Sequence, residues 1–430
     1  MSEVVKQNNR GSADAVVSLT AAAIAFALGS LFFNYAFVQR VAPSVMTQEL
    51  MRDFSVGAAA LGSLSAFYFY VYAALQLPVG LLTDRFGPRK LMGVAAFLCA
   101  FASAIFAYSD SLWLASLSRG LIGGTVAFAF VGTMAIAGYW FKPSHYAMLA
   151  GVLQSVGMCG AIFGQALLRH VVEAFGWRGT ILAMAVIAVI ISILIFLLVP
   201  KRTEAQKQQE QNLSDLIEGL RAVVRNRQTW LCAMIGFGMA ASMLAFGGLW
   251  AVPWLRDVHG FSSVQAAGIA STLFAGWAIF SPIVGWASDR IGLRKPIITV
   301  GGFASIAAIA TLVFATPSSP ALIVTLMFAT GAFGSVMTIA FSSVKELNDL
   351  HFSSTALGFM NMCIIASGAL MQPLIGWLLD IQWDGTIVEG VRIYHATAYT
   401  NALASFLIVN ALALTGALLL RETRCKQLVE

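Results

Sequence analysis

Charge is what this chain has least of. Only 11% of its 430 residues are Asp, Glu, Lys or Arg, where a soluble domain carries about 25%. Hydrophobic residues make up 59% and mean hydropathy is +0.80, so a water-soluble surface is excluded. The five cysteines (Cys99, Cys159, Cys232, Cys363 and Cys425) form no metal-binding spacing. Four lie inside apolar runs and read as small apolar fillers. No metal or cofactor is expected. The sequence has no Walker motif or glycine-rich nucleotide loop, which argues against ATP drive within this chain. It also has no HExxH, no Ser/His/Asp grouping and no close acid pair, so nothing points to an enzyme. Net charge is +6, but no basic–aromatic block suits nucleic acid.

What the chain has instead is long apolar runs. A membrane-spanning helix needs about 20 mostly apolar residues. Twelve candidates can be marked at 20–43, 58–81, 91–108, 112–138, 149–170, 180–199, 229–253, 263–287, 296–315, 321–342, 355–378 and 397–420. They are too long for barrel strands and lack strict alternation, so spanning helices are expected. Their many glycines and alanines allow close helix packing. The first run exceeds a typical signal-peptide core and eleven more follow it, so it reads as a span. The expected class is an all-α integral membrane protein.

An even number of spans puts both termini on one side. Most of the 26 Lys and Arg residues fall in loops on that side. On the other side stand only Arg52, Arg169, Arg178, Arg256 and Arg392. The positive-inside rule then places both termini in the cytoplasm of a plasma membrane, with a bacterial inner membrane the expectation.

One charged phrase occurs twice. GLLTDRFGPRK fills residues 80–90, between spans 2 and 3, and GWASDRIGLRK fills residues 285–295, between spans 8 and 9. Such a repeat implies two six-helix halves: residues 1–199 and 229–430, joined by a polar connection at 200–228. Within that connection Leu213, Ile217, Leu220 and Val223 fit one face of an interfacial helix. An aspartate at a helix end can pair with arginine or accept from a neighbouring helix N-terminus, and glycine permits a sharp turn. The chain resembles a major facilitator superfamily transporter, whose loop signature G-x-x-x-D-R/K-x-G-x-R-R/K is matched by Gly80, Asp84, Arg85, Gly87, Arg89 and Lys90, and again by Gly285, Asp289, Arg290, Gly292, Arg294 and Lys295. The resemblance implies two pseudo-symmetric six-helix bundles that rock about a central site, with the motifs acting both as gates and as topology anchors.

By that resemblance spans 1, 4, 7 and 10 line the cavity, helped by spans 2, 5, 8 and 11. The polar residues on them are Asn34, Tyr35, Gln39 and Arg40 in span 1, Arg119 in span 4, Gln154 and Gln165 in span 5, Trp250 in span 7, and Asn361 and Gln372 in span 11. In span 2, Tyr68, Tyr72 and Gln76 share a face at i, i+4 and i+8, and Tyr70 cannot join them. A charge inside the bilayer demands a partner, water or a function. Arg119 could be a structural pair or a cavity charge, and Arg40 could snorkel to the boundary. The tyrosine stripe and the amides could be ordinary interhelical hydrogen bonds, and Trp250 an interface anchor. Arg119 with Gly123 resembles the family's span-4 signature, and 173–179, EAFGWRG, resembles its loop before span 6.

No Asp, Glu or His lies deep in any run; Asp53, Glu173, Glu346 and Asp380 are at or beyond helix ends. A cavity holding arginine without an acid attracts anions. The expected solute is therefore a small organic anion, or a zwitterion such as an amino acid or short peptide held by its carboxylate. Tyr35 with Arg40, and Phe69 to Gly80, resemble the family's organic-anion uptake branch. Many members of that branch carry an aspartate, linked to proton coupling, where this chain has Gln39, which cannot titrate. Import by a monomer, with protons as the default driving ion, is the leading expectation. A broad-specificity exporter is the alternative, and a receptor of the same fold a third.

Overall fold

The structure is a computed structural model describing residues 18–76, 78–142, 145–201 and 213–428. Among these, twelve helices are long and apolar enough to cross a membrane. Span 1 is Leu19–Val45, span 2 Ala58–Leu75, span 3 Pro88–Tyr108, span 4 Leu112–Trp140, span 5 Met148–Ala166 and span 6 Leu168–Leu198. Span 7 is Arg227–His259, span 8 Ser263–Ile291, span 9 Lys295–Phe314, span 10 Pro320–Glu346, span 11 Leu350–Asp380 and span 12 Ala396–Leu419. The one sheet among the described residues is a hairpin, Ile387–Val388 with Val391–Arg392, in the loop before span 12.

Two expected spans come out differently. Span 2 stops at Leu75 and resumes as a separate helix, Pro78–Phe86. Pro78 has no N–H to continue the ladder and its ring crowds the preceding turn. Span 6 begins well before residue 180, because a short helix from Leu168 joins it across a kink at Gly176, φ +70°. The connecting helix is Leu213–Arg225. It puts Gly219 beside Phe352 and Thr355 at the start of span 11 and buries Val223, while Ile217 stays exposed. The side chain of Leu213 and residues 202–212 lie outside the described residues.

The packing is pseudo-symmetric. In the first six spans the main neighbours are 3 with 6, 1 with 5, 2 with 4 and 3 with 4; in the last six the equivalent pairs are 9 with 12, 7 with 11, 8 with 10 and 9 with 10, and span 7 also packs closely on span 12. Two six-helix bundles result. They meet along span 2 against span 11 and span 5 against span 8, which are equivalent pairs under the same symmetry. Glycine makes two of these crossings possible. A Cβ on Gly123 would run into the carbonyl of Tyr68, and one on Gly331 into the carbonyl of Leu273. Those glycines press span 4 onto span 2 and span 10 onto span 8.

Candidate functional site

Span 1 and span 4 bring two arginines to one tyrosine of span 2, Tyr68. The Arg40 guanidinium carbon lies 4.3 Å from the ring centre of Phe37, 5.3 Å from Tyr72 and 5.9 Å from Tyr68. The Arg119 guanidinium carbon lies 5.1 Å from the Tyr68 ring centre. Tyr68 and Tyr72 stack at 5.9 Å, one helical turn apart on span 2, while Tyr70 turns outward and is 42% exposed. Arg40 is 5% exposed and Arg119 is 0% exposed. Arg119 Nη1 donates to the backbone carbonyl of Gln39 at 3.0 Å, but its Nε and Nη2 have no partner, and neither does Arg40 Nε.

Neither guanidinium is ion-paired to any described carboxylate, and no described cluster of His, Cys, Asp and Glu could hold a metal ion. An arginine within a span costs up to about 2.5–3.5 kcal/mol on insertion scales, a cost reached at the helix centre, and a cation–π contact returns about 0.5–2 kcal/mol. Three rings can offset Arg40. One ring and one hydrogen bond leave most of the Arg119 donors idle. The pair is thus a centre of positive charge with spare donors, suited to an anion.

The other expected cavity residues divide by direction. Gln76 reaches across to the second bundle, where Asn361 Nδ2 donates to its Oε1 at 2.5 Å. Trp250 is buried and donates from Nε1 to the backbone carbonyl of Gln372 at 3.0 Å. Gln154 is half-buried on span 5. Asn34 instead faces span 5 inside the first bundle, donating to Val156 O at 2.7 Å. Tyr35 donates to Met184 O in span 6, and Gln39 donates to Tyr35 Oη at 2.6 Å and to Ser103 Oγ in span 3 at 3.1 Å. These three side chains are occupied within the first bundle, away from the seam where the bundles meet.

The two motif loops differ in how they are held. Gly87 and Gly292 both turn with positive φ, +77° and +74°, as the sharp helix-to-helix reversal requires. In the second loop Arg294 bridges Asp289 at 2.6 Å and Glu346 at 2.7 Å. Glu422 caps span 9 by accepting from the backbone N–H groups of Arg294 and Lys295 at 3.0 and 2.8 Å. Burial raises the Glu422 carboxyl, but backbone donors from Arg294, Arg424, Lys295 and Thr423 outweigh it and hold the group below its usual range. Arg290 lies over Trp286. In the first loop Arg89 donates to the carbonyl of Phe196, Arg85 and Lys90 lie over Phe86, and Asp84 sits in the last turn of Pro78–Phe86. The glycines that open each motif, Gly80 and Gly285, have nothing within 4 Å of where a Cβ would stand.

The sequence pattern of the Major Facilitator Superfamily matches residues 24–363. The chain belongs to that superfamily. It is 23% identical over 399 residues to a probable sulfoacetate transporter of Cupriavidus necator, covering 88% of this chain and 91% of the relative. It is 23% identical over 392 residues to a gentisate transporter of Corynebacterium glutamicum, covering 88% and 85%. The fold superposes on a bacterial homologue of the human lysosomal transporter Spinster, in an inward-facing and unoccupied conformation, with TM-score 0.76, 14% identity and coverage of 95% and 98%. As a superfamily member the protein is a multi-pass secondary transporter that moves small solutes by alternating access, and not an enzyme.

In this superfamily structure the bundles touch on the face opposite the motif loops. There Asp380, at the end of span 11, accepts from the first backbone N–H groups of span 2, Ala58 at 3.2 Å and Ala59 at 2.9 Å. Tyr394 donates to Asp380 at 2.5 Å and accepts from Ala58 at 2.9 Å, and Arg392 lies 3.4 Å from the same carboxylate. The EAFGWRG segment serves this face as well. Trp177 donates to Asp53 at 2.9 Å, and Arg178 pairs with the same carboxylate. Burial raises the Asp53 carboxyl, while Trp177, Arg178 and Arg52 hold it below its usual value.

The pairings of Glu346, Glu422 and Asp380 were not readable beforehand. Asp380 and its span-2 donors are about 320 residues apart. On the motif face Pro78–Phe86 packs mainly on spans 3 and 4 of its own bundle, so the room at Gly80 is unused in this conformation. Gly80→Leu should therefore leave the melting temperature unchanged but cut turnover at least tenfold in reconstituted flux. Unchanged turnover would remove this loop from the gate.

Proposed function

We propose that this protein imports a small organic anion, or a zwitterion held through its carboxylate, at the Arg40–Tyr68–Arg119 centre. The carrying observation is the pair of buried guanidiniums with idle donors and no acid beside them. Arg40 is read as the direct contact, since it is 5% exposed where Arg119 is 0% exposed. Arg119 works one layer deeper, through Tyr68, and supplies field and hydrogen bonds as that ring yields. Gln76 and Asn361 join the bundles on the motif side of the tyrosine stripe and order the path to the site. The solutes of the two curated relatives, sulfoacetate and gentisate, are both anions, which supports the same class here.

The motif face is read as cytoplasmic, with both termini there, so the conformation is inward-facing in a bacterial inner membrane. Residues 1–199 and 229–430 then move as the two units, each monomer complete in itself. Gln39 cannot titrate and is engaged within the first bundle.

Uptake into proteoliposomes from a panel of small carboxylates, sulfonates and amino acids, with and without an imposed pH gradient, tests this reading. Carboxylates or sulfonates accumulate if it is right. Transport confined to neutral or cationic solutes, or drug efflux alone, would replace it with the exporter reading.

A further inference from the structure

Span 7 is not one uniform helix. It is α-helical through Ala241, widens to a π-helix over Ser242–Trp250, and returns to α from Ala251. Every residue of the widened stretch is buried. A π segment carries an extra residue per turn and leaves carbonyls displaced from the regular ladder, and such segments concentrate at functional positions. Two glutamine side chains reach these carbonyls. Gln165 of span 5 donates to Gly247 O at 2.6 Å and to Ser44 Oγ, at the end of span 1, at 3.0 Å. Gln372 of span 11 donates to Leu244 O at 2.8 Å, and Trp250, inside the π segment, donates back to the Gln372 backbone carbonyl at 3.0 Å.

Spans 5 and 11 are equivalent in the two bundles, so the segment is gripped by symmetry-related amides. Both glutamines are 0% exposed, and in both the Oε1 atom is buried with no protein partner. A buried acceptor without a partner is unfavourable. Each amide is therefore held for what its N–H groups grip, at the expense of its oxygen. The two grips are not alike. Gln372 and span 7 belong to the same bundle, so that bond can persist as the bundles rock. Gln165 belongs to the other bundle, so its bond to Gly247 crosses the seam on the closed face and has to break when that face opens.

We propose that Gln165 and Gln372 form a two-amide clamp on the π segment of span 7, and that release of the Gln165 arm is a step of the transport cycle separate from solute binding. Both are positioning residues acting through span 7. Gln372 holds the segment in its widened form. Gln165 fastens that form to the first bundle and keeps the face opposite the motif loops shut.

The test reads conformation and needs no solute, so it stands or falls apart from the anion reading. Spin labels are placed in the full chain, with its native cysteines replaced, at exposed Ser111 and Ser318 on the closed face, and in a second pair at exposed Lys142 and His351 on the motif face. Distances are measured by double electron–electron resonance in lipid nanodiscs. Gln165→Leu should lengthen the Ser111–Ser318 distances and raise the open fraction at least fivefold. Gln165→Glu separates gating from general damage. A protonated carboxyl can still donate to Gly247 O, but a carboxylate cannot, so this variant should match wild type at pH 5 and open at pH 9, a switch the wild type does not show. Gln372→Leu should leave both distance distributions in place and speed amide exchange across Ser242–Trp250 at least tenfold. Wild-type distances for both Gln165 variants at both pH values would overturn the clamp. So would a loss of folding in Gln165→Glu that acid does not reverse.

Discussion

Arg119→Ala should weaken binding of a carboxylate solute about 100-fold and abolish measurable uptake, while the purified variant stays monodisperse with a melting temperature near wild type. Arg119 makes one hydrogen bond, to Gln39 O, and one cation–π contact, to Tyr68, so its removal takes little from the fold. In a bound state its two idle nitrogens would each gain a charged acceptor. A hydrogen bond to a charged group contributes about 1.5–3 kcal/mol, and the upper end of that range is a factor of about 100 in affinity. Arg119→Lys should recover only a small part, because an ammonium cannot present the planar fork that grips a carboxylate at two points. Arg40→Ala should cost as much in affinity and more in stability, because three rings lose their cation. Titration of the purified variants with the best solute of the uptake panel, beside their melting curves, checks all three. An alanine variant at Arg119 that binds as wild type would show that arginine to be structural.

Asp380→Ala should move the resting protein away from the conformation described here. The carboxylate caps the N-terminus of span 2 from the other bundle and gathers Tyr394 and Arg392 around it. A side-chain cap contributes about 0.5–2 kcal/mol, and the helix N-terminus adds a favourable field for an anion. Loss of about 2–3 kcal/mol from the closed form alone raises the open-to-closed ratio roughly 30- to 150-fold. Asp380→Asn keeps a cap but loses the charge and should fall between. Labels at Ser111 and Ser318 report the shift directly. A distribution unchanged in Asp380→Ala would mean that the apolar seam of spans 2 and 11 holds this face without the carboxylate.

The twelve spans were legible because a bilayer imposes a length of apolar residues that few other contexts require. The halves were legible because the motif loop repeats with its glycines and charges intact. Arg40 and Arg119 stood out because a charge inside such a run is rare. What the runs conceal is rotation. Every side of these helices is apolar enough for lipid or protein, so nothing in the pattern directs Tyr35 and Gln39 toward spans 3 and 6 while Arg40, next in sequence, turns to Tyr72. Long-range polar pairs were equally hidden. Glu422 caps span 9 across 127 positions, and no local spacing rule reaches that far. The π segment of span 7 leaves only the pair Gly247–Gly248 as a trace, and that pair reads equally well as close helix packing.

The most direct test of the two-arginine centre compares each transported carboxylate with its primary amide, which has nearly the same shape and no charge, as competitors for uptake in proteoliposomes. If Arg40 and Arg119 hold the solute by its charge, the carboxylate should compete about 100-fold more strongly than the amide. Equal competition by acid and amide in the wild-type protein would contradict it.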